Sequence, residues 1–146
     1  MIRFLLASII FPITFVLNGQ SLETIIQKGH ELAVLTVSIS PDSNLVASGS
    51  RDKSAKLWEL STGREVRSFL GHEGSVNCID FTRDGKWMIT SSGDQTAKIW
   101  EVATGKEVFS TPPADKLLTT AAFSPDSRYF VTGGYPDQAH VWDFKT

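Results

Sequence analysis

The sequence predicts an all-β chain made of β-propeller blades, each a four-stranded antiparallel sheet, in an incomplete or shared ring. Three observations predict it. Trp58, Trp100 and Trp142 stand at a constant interval of 42 residues, and a period of that length marks a chain that stacks copies of one small unit. The copies agree beyond the tryptophans: Gly29-His30 returns as Gly71-His72, Pro41-Asp42-Ser43 as Arg83-Asp84-Gly85 and Pro125-Asp126-Ser127, Asp52 as Asp94, and Thr62-Gly63-Arg64-Glu65-Val66 as Thr104-Gly105-Lys106-Glu107-Val108. No window offers a long amphipathic helix.

The middle copy shows the elements of one unit in order. Val76, Cys78 and Phe81 lie in a short apolar run that stops at Arg83-Asp84-Gly85-Lys86. An Asp-Gly pair between apolar runs signals a hairpin, because both central positions of the tight turn favour residues that tolerate positive φ. A second run starts at Trp87-Met88-Ile89 and ends at Ser91-Ser92-Gly93-Asp94; a third spans Ala97 to Glu101, with Ala97, Ile99 and Glu101 on one face and Lys98 and Trp100 on the other. Ala103-Thr104-Gly105-Lys106 is the next turn and Val108-Phe109 the fourth strand. Such a sheet cannot bury two apolar faces and two edges alone, so it needs neighbours on both sides.

Gly-His before the first strand, Ser-Pro-Asp or Asp-Gly in the first turn, Ser/Thr then Asp before the third strand, and Trp58-Glu59, Trp100-Glu101 and Trp142-Asp143 at its end resemble the WD40 repeat. The resemblance covers roughly residues 23 to 146, as repeats at about 23–64, 65–106 and 107–146. It implies a structural hydrogen-bonded chain in each blade, from Asp through His and the Ser/Thr hydroxyl to the indole N–H: His30, Ser48, Asp52 and Trp58, then His72, Thr90, Asp94 and Trp100. Buried indole and imidazole groups need such partners. The third copy keeps only Thr132 and Trp142. Pro113-Ala114 replaces Gly-His there, Pro136 takes the Asp position, and Asp137 stands one place late, so this blade should be less firmly tied.

The start of the chain reads as a secretory leader. Met1-Ile2-Arg3 is basic, Phe4 to Leu17 is almost wholly apolar, and Asn18-Gly19-Gln20-Ser21 is small and polar. The apolar stretch is shorter than the roughly 20 residues a spanning helix needs. The expected organisation is a signal peptide over 1–19 and a propeller segment over 20–146, giving a secreted, periplasmic or cell-envelope protein with no membrane span after cleavage. The alternative is an uncleaved anchor.

Residues 20–146 hold three periods and no fourth, whereas propellers usually have 4–8 blades. The strand around Thr24 to Gln27 matches the fourth strand of a unit, and the last strand, around Ala139 to Phe144, matches the third. In the family that this chain resembles, the N-terminus typically supplies the last blade's fourth strand. Two explanations fit: a homodimer whose copies exchange first strands to complete a six-bladed ring, or an incomplete piece of a longer repeat protein.

Composition excludes several functions. A net charge of −2 without a Lys/Arg run gives nucleic-acid binding little support. Cys78 is the lone cysteine and reads as a small buried hydrophobe. The repetition of the His-Ser/Thr-Asp set argues against a catalytic triad. His30, His72 and His140 lie in separate repeats with no ligand spacing, so neither metal nor cofactor is expected. What remains is a surface. The loops at the Gly-His end carry Glu31, Arg51, Glu73, Gly93, Asp115, Lys116 and Tyr135, candidate contacts for a protein partner; Arg and Tyr favour interface hot spots, although each could equally be an ordinary solvated residue. The leading reading is a non-enzymatic, exported protein–protein interaction scaffold. The alternative is the recognition segment of a longer enzyme, for example a peptidase, whose catalytic domain lies beyond Thr146. A third reading is a cell-envelope structural protein.

Overall fold

The computed structural model describes the backbone of residues 13–17 and 20–24, and residues 29–135 and 139–144. Every regular element among them is a strand. β1 (Ile13–Leu17) and β2 (Gln20–Thr24) form a two-stranded hairpin. The first blade follows as β3 (Val34–Ile39), β4 (Leu45–Ser50), β5 (Ala55–Glu59) and β6 (Glu65–Phe69). The second is β7 (Val76–Phe81), β8 (Trp87–Ser92), β9 (Ala97–Glu101) and β10 (Glu107–Ser110). The third is β11 (Leu118–Phe123), β12 (Tyr129–Gly134) and β13 (Ala139–Asp143). Each blade is an antiparallel meander in chain order.

The third blade has three strands among the described residues, in line with a last strand that matches the third of a unit. The strand expected at Thr24 to Gln27 falls almost wholly on residues 25–28, outside the described set; before them, β2 ends at Thr24 and pairs with β1, with Leu22 opposite Phe15. The apolar stretch read as a leader therefore contributes Ile13–Leu17 to a strand, while the cleavage position after Gly19 falls outside the described residues.

The first turn of each blade also differs from the tight hairpin. Gly85 alone of its turn has positive φ, at 70°, matched by Ser43 and Ser127 at 58°. The Gly85 N–H donates to the Thr82 carbonyl at 2.9 Å. Asp84 then accepts from the Thr82 hydroxyl and from the Lys86 N–H. The aspartate holds the loop by side-chain capping, a local bond that a two-residue reading misses.

The core lies between blades. Ala47, Ala55, Leu57 and Phe69 of the first blade pack on Val76, Ile79, Phe81, Met88 and Trp100 of the second. Ile89, Ala97 and Ile99 pack on Leu118, Ala121 and Phe130 of the third. The middle blade thus buries both faces, which is why Ile99 and Trp100 are both buried although they point to opposite sides. Glycine marks the closest approach: a Cβ on Gly49 would sit 2.6 Å from Val76 Cγ1. The outward faces of the end blades are open. Val37 is 66% exposed where its repeat partner Ile79 is 5%, and Val141 is 71% exposed where Ile99 is 0%.

Candidate interaction surface

The loops joining second to third strands, and those leading into each first strand, gather at one end of the blades. Two hydrogen-bonded networks underlie them. In the first, His30 Nδ1 lies 2.8 Å from Asp52 Oδ2 and Nε2 lies 2.8 Å from Ser48 Oγ, while the Trp58 indole N–H donates to the same hydroxyl at 2.7 Å. In the second, His72 Nδ1 lies 2.7 Å from Asp94, Nε2 2.8 Å from Thr90 Oγ1, and the Trp100 N–H donates to Thr90 at 2.8 Å. A neutral imidazole protonated on Nδ1 satisfies every member: Asp accepts from Nδ1–H, and the hydroxyl donates to Nε2 while accepting from the indole.

The electrostatics agree with that assignment. Burial lowers the His72 pKa, against the opposing pull of Asp94. Burial pushes Asp94 up, but the Thr96 hydroxyl and N–H, the Glu73 N–H and His72 outweigh it and hold the carboxyl at about 2. Asp52 is held lower still, against its burial, by Ser54, the Glu31 N–H and His30. The Ser48 and Thr90 hydroxyls are buried, and each also accepts an indole N–H, so the bonds of both networks are turned inward and fix the loops above them.

Those bonds hold the surface residues in place. The Glu31 N–H donates to Asp52 and the Glu73 N–H to Asp94. The Arg51 N–H bonds the Ala33 carbonyl and the Gly93 N–H the Ser75 carbonyl, both at 2.9 Å. Tyr135 N–H reaches the Leu117 carbonyl at 3.4 Å. Glu31, Arg51, Glu73, Gly93, Asp115, Lys116 and Tyr135 are all exposed. Large apolar side chains stand among them: Leu70 and Tyr135 are each 72% exposed and Leu32 is 58%. The leucines carry no repeat signature, so a periodic reading passes over them.

The third blade holds a fragment of the network. The Trp142 N–H donates to Thr132 at 3.0 Å. Ala114 stands at the histidine position, beside a cavity of about 90 Å³ lined by Thr132, His140, Trp142 and Leu118. Pro136 and Asp137 lie outside the described residues.

Contacts that break the repeat also tie the blades together, and these were invisible to sequence reasoning. The Arg67 guanidinium donates to the Ala103 and Thr104 carbonyls, both at 2.8 Å, clamping β6 to the lower turn of the second blade. Asp80 accepts the Phe123 N–H at 2.8 Å. Asn77 donates to the Leu118 carbonyl. Cys78 is half-buried rather than buried, and its thiol lies 3.4 Å from the Ala121 carbonyl. We expect Arg67→Ala to lower the unfolding free energy by about 1 kcal/mol, because two carbonyls lose a charged donor at a partly exposed site. Urea unfolding of the two chains side by side checks it; an unchanged midpoint contradicts it.

No group of three or more His, Cys, Asp or Glu residues among the described residues is placed to hold a metal ion. No helix among them is long and apolar enough to cross a membrane.

Comparison with known proteins agrees with the architecture. The family described as WD domain, G-beta repeat matches residues 19–59, 63–101 and 106–143. A ribosome biogenesis protein BOP1 homolog of Drosophila virilis is 42% identical over 48 residues, 33% of this chain and 6% of that protein. Eukaryotic translation initiation factor 3 subunit I of Neurospora crassa is 40% identical over 55 residues, 38% of this chain and 15% of that protein. The solved structure of U3-55K superposes with a TM-score of 0.76 at 20% identity, covering 80% of this chain and 37% of that one; the RRP9 WD40 repeats superpose equally well at 21%. The chain thus spans a small part of these relatives' length. Their names overturn the expected secreted or periplasmic placement: ribosome biogenesis and translation initiation are work of the cell interior, and the leader-like start gains no support as an export signal.

Proposed function

Because the chain belongs to the WD domain, G-beta repeat family, we propose that it is a non-enzymatic platform that binds another protein through the loop end described above. One observation carries the reading: exposed Leu32 and Leu70 sit on loops whose backbones are held from below by the Asp52 and Asp94 networks, and exposed Tyr135 stands at the same end of the third blade with its N–H on the Leu117 carbonyl. Apolar and aromatic groups on a pre-ordered frame bind at low entropic cost. Charges of both signs, Glu31, Arg51, Glu73, Asp115 and Lys116, surround them and suit a polar rim. Relatives named for ribosome biogenesis and for a subunit of a translation initiation factor support a partner that is itself a protein of a larger assembly. The net charge of −2 and the absence of a Lys/Arg run give nucleic acid little support as the main ligand.

The test is a binding measurement against the partner co-purified with the full chain. Leu70→Asp and Tyr135→Ala together should weaken binding by at least about tenfold without moving the unfolding midpoint. Retained affinity, or loss only in parallel with stability, contradicts the assignment.

A further inference from the structure

The third blade lacks the ring that the other two bury. Ala114 stands one repeat after His72, as His72 stands one repeat after His30, and Thr132 follows Ser48 and Thr90 in the same way. In the first two blades the hydroxyl accepts the indole N–H and donates to an imidazole Nε2 at 2.8 Å. Thr132 accepts the Trp142 N–H at 3.0 Å but, among the described residues, donates to nothing. It is 1% exposed, and a buried hydroxyl hydrogen without an acceptor is costly. Beside it lies the cavity of about 90 Å³, walled by Pro113, Leu118 and Trp142, with exposed His140 also in its lining. A dry cavity of about 150 Å³ holds benzene, so this one is of a size for a five-membered ring.

We propose that this cavity is a binding site for a neutral azole, a flat five-membered ring whose unprotonated nitrogen accepts the Thr132 hydroxyl hydrogen. The sister blades define the class. Their rings reach the hydroxyl through a lone-pair nitrogen and meet the tryptophan edge-on at 6.2 Å between centroids. An imidazolium has no lone pair to offer. A water in the same place needs two to four polar partners, and the side chains of Pro113 and Leu118 supply none. The cavity lies in the segment that carries exposed Asp115 and Lys116. A free azole and a histidine side chain of a docked protein share this chemistry, and only the second source rests on the docking surface at this end.

Calorimetric titration of the full chain with imidazole at about pH 8.5, above the ordinary histidine pKa of about 6.5, tests this. Saturable binding is expected at about 1–10 mM, a range open to five heavy atoms. Pyrrole has the same shape and no acceptor nitrogen, so it should bind at least about tenfold more weakly; this comparison needs no variant. Ala114→His supplies the ring from the chain itself and should abolish binding, as should Ala114→Leu by filling the space, each in a variant that keeps the parent's circular dichroism. Nα-acetylhistidine methylamide separates the sources. Affinity equal to or above that of imidazole assigns the site to a histidine side chain, and lower affinity assigns it to a free azole. No saturation by about 100 mM imidazole, pyrrole bound as tightly as imidazole, or binding that survives both Ala114 substitutions overturns the proposal.

Discussion

Replacing Trp100 with alanine is expected to lower the unfolding free energy by about 3–5 kcal/mol. The indole is 2% exposed and joins the core between the first two blades. It meets Phe69 edge-on at 5.7 Å between ring centroids and His72 at 6.2 Å. Its N–H is the terminal donor of the second network. The substitution thus opens a cavity and removes the indole donor from the Thr90 hydroxyl, which keeps its bond to His72. Since a small domain is stable by about 5–15 kcal/mol, much of the chain should be unfolded in mild urea. Trp58→Ala is the internal control. Trp58 makes the same bond to Ser48 but faces the open side of the first blade and is half-buried, so its loss should cost clearly less. Equal midpoints for the two variants, measured by circular dichroism, contradict the packing described.

Asp94→Ala is expected to cost about 1–3 kcal/mol. Four donors lose their acceptor: the Glu73 N–H, the Thr96 N–H and hydroxyl, and the His72 ring. His72 is buried, so its Nδ1–H has no ready route to water. The pH dependence has a definite sign. Asp94 titrates at about 2 in the folded chain against an ordinary 3.8. Its contribution is therefore complete above pH 3.8 and disappears as pH falls toward 2. His72 is held below its ordinary 6.5; the unfolded imidazole takes a proton more readily, so the fold loses stability as pH drops below 6.5. Both effects point the same way. The midpoint should decline in acid, and the steep part below pH 4 should flatten in Asp94→Ala. A midpoint independent of pH between 7 and 3, or a variant as stable as the parent, contradicts the assignment.

The parts legible in the sequence are those that repeat. Trp58, Trp100 and Trp142 sit on third strands because each indole N–H donates to the same second-strand hydroxyl position, and Asp42, Asp84 and Asp126 mark the first turns because each caps the same loop. Periodicity averages over the copies, so whatever occurs once is lost. Arg67 has Phe109 as its repeat partner, and Asp80 has Ser38 and Ala122; their inter-blade bonds exist only at those positions. Exposed leucines are equally silent, because whether Leu70 is core or surface depends on the loop's path. The apolar start is unspecific for a related reason: a run such as Ile13–Leu17 satisfies the pattern of a leader and that of a strand alike.

The central claim, that the loop end above the two networks is the docking surface, is tested most directly by placing a photo-reactive amino acid at single positions and irradiating the chain in its native assembly. Tyr135 and Leu70 probe that end, and Lys86 and Lys106 the opposite one. Crosslinks to a distinct protein from positions 135 and 70, with none from 86 and 106, are the predicted result. Crosslinks confined to 86 and 106 would place the partner on the other face and contradict the claim.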